Sequence, residues 1–286
     1  PAQGNKVLAW VYLVNFRNRQ AVIQASENGI RLDHNGYQRL FIANLTSSAG
    51  SDAYNQTRNI FTHFLGILNS NHMSLEANCV RTWIYVRDID NNYAGMVKAR
   101  NEVFRQEGLT QESHFIASTG IEGRTADRLN MAAMDAWAVG GLEPAQITYL
   151  KGNSHLSPTH AYGVSFERGT AIDYGDRRHI FISGTASIDH YGQVLHERNI
   201  EGQMRRVFEN MEVLLAEAGA SFSDLSSMIV YLRDMADSST VHAYLENHFQ
   251  GIPTIVVIAP ICRQGWLFEA ECIAIVECHN QDYRDF

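Results

Sequence analysis

Apolar and polar positions alternate with period two over Val80–Val86. Val80, Thr82, Ile84 and Val86 oppose Arg81, Trp83 and Tyr85, which predicts a strand. Thr57–Leu68 instead gathers Ile60, Phe61, Phe64, Leu65 and Leu68 on one side of a helical projection. The same reading predicts strands at Val22–Ala25 and Arg39–Leu45 around an Asn35-Gly36 turn. A helix follows over Tyr93–Gln106, stopped by Gly108, then strands at His114–Thr119 and Met131–Val139. Gly140-Gly141 and Pro144 break the pattern.

Beyond the break the course repeats. Strands are predicted at Gly163–Arg168 and His179–Ser187, then a helix from Gly202 to Ala218 closed by Gly219. Ser227–Leu232 reads as a strand, Ser239–Phe249 as a helix, and Thr254–Pro260 and Trp266–Glu277 as closing strands. The residues echo as well as the pattern. Arg39-Leu-Phe-Ile is answered by His179-Ile-Phe-Ile, Tyr85-Val-Arg-Asp88 by Tyr231-Leu-Arg-Asp234, and Gln56 by Gln203. A period this long means a duplicated domain rather than a solenoid. The expected architecture is α+β: two tandem units, 1–142 and 143–286, each β-β-α-β-α-β-β with its helices on one face of a mixed sheet. The first unit is expected to be degenerate and the second to carry the site. Uncovered sheet faces predict packing of such units against one another, within the chain in a trimer-like manner or as a homo-oligomer.

With 286 residues, each unit can bury a core of its own. A net charge of −8 argues against nucleic acid as a partner, because a polyanion binder needs a basic face. No stretch approaches a membrane span. The apolar segment Val7–Phe16 lacks the basic flank and cleavage site of a signal peptide. The chain opens at Pro1 without a Met, and residues upstream are expected. Four unevenly placed cysteines, Cys79, Cys262, Cys272 and Cys278, make no disulfide framework and fit a reducing cytoplasm. Cys272, Cys278 and His279 lack zinc spacing, and neither a Gly-x-Gly-x-x-Gly nor a P-loop occurs, so no metal or cofactor is expected.

Ile182-Ser183-Gly184, Val230–Met235 and Leu267-Phe-Glu-Ala-Glu271 in this order resemble the Rid (YjgF-like) superfamily. Many of its members are trimers that hydrolyse reactive imines at sites between subunits. The resemblance to its deaminase branch is broken at one position. There an Arg follows the Pro that opens the penultimate strand, whereas this chain reads Pro253-Thr254-Ile255. Isoleucine offers no fork for a carboxylate. Arg81–Val86, Ala117–Ile121, Ser183–Ser187 and Ile261-Cys262-Arg263 together are similar to the chorismatases, two-unit enzymes of this fold that cleave chorismate to pyruvate and a cyclic acid. Old endoribonuclease labels for the fold sit badly with the acidic charge.

Cleaving an enolpyruvyl ether requires protonation of a vinyl carbon, and hence an acid still protonated near neutral pH. Glu269 is the expected acid. It shares a strand face with Glu271, and neighbouring carboxylates push each other's pKa values apart. The matching strand of the first unit offers only Asp135. Chorismate carries two carboxylates, so cationic grips are expected: Arg168, whose counterpart in the first unit is Asn28, and Arg263. The resemblance implies that Cys262, Ala186 and Gly184 lie near the substrate ring. It leaves the product open between 3-hydroxybenzoate and a dihydroxycyclohexadiene carboxylate. Tyr162 can donate to a substrate carboxylate, and Arg81 can reach across to the other unit. Plainer readings stand beside these. Glu269 and Glu271 can be solvated residues of an edge strand, the arginines surface ion pairs, Tyr162 a core aromatic and Cys262 a small buried hydrophobe. The two alternatives to chorismate cleavage are imine or enamine hydrolysis and a non-enzymatic metabolite-binding protein.

Overall fold

The computed structural model describes residues 9–16 and 20–286. Of the apolar Val7–Phe16 segment, Val7 and Leu8 lie outside the described residues. The first sheet is built from β1 (Ala21–Ser26), β2 (Gly29–His34), β3 (Tyr37–Thr46), β4 (Cys79–Val86), β5 (Ala117–Glu122) and β6 (Ala132–Gly140). The second is built from β7 (Ile147–Leu150), β8 (Gly169–Asp173), β9 (Arg177–Ala186), β10 (Leu225–Leu232), β11 (Thr254–Ile258) and β12 (Phe268–Glu277). The orders β1-β2-β3-β6-β4-β5 and β7-β8-β9-β12-β10-β11 are the same topology twice. In each sheet only the last pair, β4 with β5 and β10 with β11, is parallel. Both sheets are mixed and carry helices, so the class is α+β in two tandem units of one topology.

Each unit opens with one strand more than the pattern predicts. In the first unit Arg31 and Asp33, paired at 2.7 Å, make β2 look like a polar loop. In the second the added strand is β7, only four residues long. The strand expected at Gly163–Arg168 is absent, and β8 begins one residue later, at Gly169. Gly163, with φ of 86°, ends a 3-10 turn, and Thr159 Oγ1 donates to the Phe166 carbonyl at 2.6 Å, so the segment curls instead of extending. β5 starts at Ala117 rather than at His114 because the Phe115 amide is drawn 2.9 Å to the Glu167 carboxylate of the second unit.

The helices are α1 (Ala53–Ser70), α2 (Leu75–Asn78) and α3 (Ile89–Gln106) in the first unit, and α4 (Ile200–Glu217) and α5 (Ser238–His248) in the second. The apolar face of α1 seats Ile60, Phe61, Phe64 and Leu68 on the first sheet, in the core that α3 completes with Met96, Val103 and Phe104. Met204, Val207, Met211 and Leu214 of α4 do the same on the second. Period two then decides what lies on the other side. In β12, Phe268, Ala270, Cys272 and Ala274 enter the helix-side core, which turns Glu269, Glu271 and Ile273 toward the first unit. Between the sheets Ile273 joins Tyr37, Val80, Val139 and Phe181 in a third, smaller cluster. The units thus cover each other's helix-free faces.

Two features common to both units shape the site. β3 and β9 each carry a bulge, between Ile42 and Leu45 and opposite Ala270–Cys272, where Asn44 and Gly184 sit. The paired glutamines are clamps. Gln56 donates to the carbonyls of Gly50 and Leu129 and accepts from the Met131 amide, ahead of β6. Gln203 donates to those of His196 and Gly265 and accepts from the Leu267 amide, ahead of β12. Replacing Gln203 by Leu strands three backbone groups, of His196, Gly265 and Leu267, at part-buried hydrogen bonds. An unmet buried group costs about 1–3 kcal/mol and a part-buried one less, so a loss of about 2 kcal/mol is expected in urea unfolding at unchanged m-value. A loss under about 1 kcal/mol contradicts the clamp.

Candidate active site

A cleft between the units holds about 540 Å³ of space outside the protein atoms, the open solvent at its mouth included. Seven of the residues singled out from the sequence line it: Glu269, Arg168, Arg263, Cys262, Ala186, Gly184 and Tyr162. Glu271 does not. It lies two residues further along β12 and is turned into a buried contact with the first unit.

Glu269 is 4 % exposed, and among the described residues no protein donor is hydrogen-bonded to its carboxyl. Burial, with the Glu271 charge adding to it, pushes its pKa from 4.5 to about 8, against the pull of Arg81 and Arg168. The group is therefore an acid at neutral pH. The solvated-edge reading fails because β12 is an inner strand, paired by β9 on one side and β10 on the other.

Arg168 is buried rather than in a surface ion pair. Its Nη2 donates to Tyr162 Oη at 2.7 Å and to the Ser157 carbonyl at 3.0 Å, while its Nε has no partner. The plainer reading of Tyr162 holds in part, since it packs against the second core while its hydroxyl faces Arg168. Arg263 is held by a bond from Nη1 to the Gly192 carbonyl at 3.0 Å, and its guanidinium lies 4.9 Å from the Tyr162 ring and 4.8 Å from that of Trp266. Such stacking fixes a planar cation while leaving its edges free. Cys262 sits on the wall as a neutral thiol, its pKa pushed up to about 12 by burial and then by Glu269.

The first unit contributes a cation that the sequence reading missed. Arg100 projects from α3 into the cleft, 1 % exposed, with Nε and Nη2 unpartnered. Burial lowers its pKa, but a guanidinium stays charged. Tyr93, Ser118 and Gly120 of the same unit line the wall beside it, and Trp266 does so from the second. A signal for Arg100 was present. It falls on the buried face of α3 with Met96, Ala99, Val103 and Phe104, where a charged residue has no place unless it faces a polar site.

Strand register shows how the two copies differ at the position of Glu269. Tyr231 pairs with Glu269 in the second sheet, and its counterpart Tyr85 pairs with Ala133 in the first. Alanine thus stands in the first unit where the second has the buried carboxyl. Asp135 falls at the Glu271 position and is occupied by the Asn44 bulge amide at 2.7 Å and the Tyr85 hydroxyl at 3.2 Å. A wide cleft beside these residues has no counterpart of Arg168, since β2 begins at Gly29 after Asn28. Among the described residues no cluster of His, Cys, Asp or Glu is arranged to hold a metal ion, and no helix is long and apolar enough to cross a membrane.

A two-unit α+β fold with one buried acid and three arginines in an inter-unit cleft defines the class. The family model described as "Endoribonuclease L-PSP" matches residues 169–276. A RutC family protein of Pyrococcus abyssi is 32% identical over 100 residues, 34% of this chain and 79% of that protein. The 3-aminoacrylate deaminase RutC of Acinetobacter baylyi is 29% identical over 70 residues, 24% of this chain and 56% of that protein. The crystal structure of a chorismatase superposes with a TM-score of 0.71 at 19% identity, covering 88% of this chain and 78% of that one. The chain belongs to the RutC family, within the Rid superfamily, and its two-unit fold is like that of the chorismatase.

Between pH 4.5 and about 8 the unfolded chain ionises Glu269 while the folded chain keeps it neutral. Its contribution to stability is complete below 4.5 and is lost as pH rises through that window, by up to about 1.4 kcal/mol per unit. Wild type should therefore lose stability relative to Glu269→Gln between pH 5 and 8 in urea titrations. Parallel profiles contradict a raised pKa.

Proposed function

We propose that the chain cleaves the enolpyruvyl ether of chorismate, releasing pyruvate and a cyclic acid, with Glu269 as general acid. The observation that carries this reading is a carboxyl of pKa about 8 on the wall of a cleft that also holds Arg100, Arg168 and Arg263. A dianionic substrate suits a pocket whose guanidinium N–H groups lack partners, because the carboxylates restore the missing hydrogen bonds.

Glu269 gives its proton to the terminal CH₂, and the enol ether becomes an oxocarbenium ion. The Glu269 carboxylate left behind stabilises that cation. Water adds to the cationic carbon and returns a proton to Glu269. The hemiketal hydroxyl gives up its proton as the bond between the hemiketal carbon and the ether oxygen breaks, so pyruvate leaves and the ether oxygen takes up a proton and stays on the ring as its alcohol. Atoms and charge balance with one water consumed. Cys262 and Ala186 flank the space left for the ring, and the neutral thiol favours contact with it over nucleophilic attack. Imine or enamine hydrolysis is the second reading, in keeping with the deaminase among the relatives. It is disfavoured because Thr254 and Ile255, where the carboxylate grip is missing, open β11 and do not line the cleft.

Incubation with chorismate, with pyruvate and the ring product measured together, tests the proposal. Glu269→Gln should lower kcat by on the order of 10²–10⁴, the usual worth of a general acid. For wild type, kcat/KM should fall tenfold per unit above pH about 8, because the acid must be protonated. Arg100→Met should lower kcat/KM by about 10- to 100-fold, the loss of one charged hydrogen-bond partner. No pyruvate from wild type ends this reading.

A further inference from the structure

Glu271 is held wholly by the other unit. Trp83 Nε1 donates to its Oε1 at 2.7 Å and Arg81 Nη2 to its Oε2 at 2.7 Å, while the Thr119 hydroxyl donates to Oε2 as well. Arg81 lies over the Trp83 ring at 4.6 Å. Thr119 is the hub. Its Oγ1 also accepts from Arg81 Nη2 at 2.6 Å and from the Gly184 amide at 2.9 Å, so its one proton and two lone pairs are all used. Gly184 is the bulge residue of β9, and a methyl group there would overlap Glu269 Oε1 and come within 3.0 Å of Thr119 Cγ2. Glu271 therefore touches no part of the cleft, yet it is tied through one hydroxyl to the backbone against which the acid rests. At the same place in the first unit, the Asn44 amide is met by Asp135 of its own strand partner.

We infer that Thr119, Arg81 and Glu271 form a positioning device for Glu269, in which Thr119 fixes the Gly184 bulge and Glu271 places an arginine-paired carboxylate about 7 Å along the strand from the acid. This deepens the reading of Glu269 as general acid and rests on it.

The charged and titratable groups around Glu269 come from every neighbouring element. Glu271 shares its strand, Tyr231 is opposite on β10, and Arg81 lies across the interface on β4. Tyr93 and Arg100 come from α3, Tyr162 from the 3-10 turn before β8, Arg168 from the residue just ahead of β8, and Cys262 and Arg263 from the loop before β12. The anion at 271 works with burial to keep Glu269 protonated, while Arg81 and Arg168 oppose it. Charge at 271 adds to burial in raising the titration. The hydroxyl at 119 sets the geometry.

The two functions are separable. Thr119→Val keeps the shape and removes the hydroxyl. It should lower kcat by about 10- to 100-fold with KM little changed, the scale of loss for a misplaced catalytic group, and Thr119→Ser should restore it. Glu271→Gln should move the Glu269 titration acidward by about one unit or more, read by ¹³C NMR of the ligand-free protein with Glu269→Gln as the assignment control. The same shift should appear in the alkaline limb of kcat/KM. If Glu271→Gln does not fold, Thr119→Val and Thr119→Ser decide the geometric half. A Glu269 midpoint unmoved in Glu271→Gln, or Thr119→Val as active as wild type, overturns the inference. A wild type that titrates as described but releases no pyruvate instead removes the proposed substrate and leaves the device standing.

Discussion

One buried ion pair between the two halves of the chain, Arg81 with Glu271, is the contact on which the rest of the site depends. Its side chains are 2 % and 6 % exposed, so neither charge is solvated by bulk water. Stripping water from two ions costs several kcal/mol apiece, and the attraction offsets this only where further hydrogen bonds complete the set. Trp83 and Thr119 complete it. Such a pair adds little net stability, but removing one partner leaves an uncompensated charge and costs about 3–5 kcal/mol. The contact thus locks the register between the units more than it strengthens the fold.

That lock has chemical consequences because the cleft belongs to neither unit alone. The acid, Arg168, Arg263 and Cys262 come from the second unit, and Arg100 and Tyr93 from the first. Sliding the units past each other by a residue would separate the carboxyl from the Arg100 cation. The apolar cluster of Tyr37, Phe181 and Ile273 between the sheets supplies adhesion without direction, whereas the ion pair supplies direction.

The cleft is also a place where stability is given up. Arg100 and Arg168 carry guanidinium nitrogens with no protein partner, and Glu269 is a carboxyl without a donor among the described residues. The unpartnered guanidinium nitrogens are unfavourable in the folded chain and would be relieved by an anionic ligand that takes their N–H groups. Concentrating such groups at one cleft, while Asp135 at the corresponding place in the first unit is fully used, is what separates the two copies chemically. The chain is acidic as a whole, with a net charge of −8, yet this cleft is cationic, so the attraction for an anion is local.

The duplication, the sheet-and-helix pattern and the strand that carries Glu269 were legible in the sequence, because period two, period 3.6 and internal echoes are local properties of the chain. Glu269 and Glu271 could be assigned to one strand face from spacing alone. Their different fates could not, since only the packing of the first unit decides that one faces the cleft and the other an arginine. Arg100 escaped for the same reason: its helix position was visible, but what lay opposite was not. The strand expected at Gly163–Arg168 failed where side-chain bonds from Thr159 outweighed extended propensity. Short-range geometry thus determined the elements and the chemistry each could carry. Which groups share a cavity, and which proton stays on at neutral pH, was decided only when two distant halves excluded water between them.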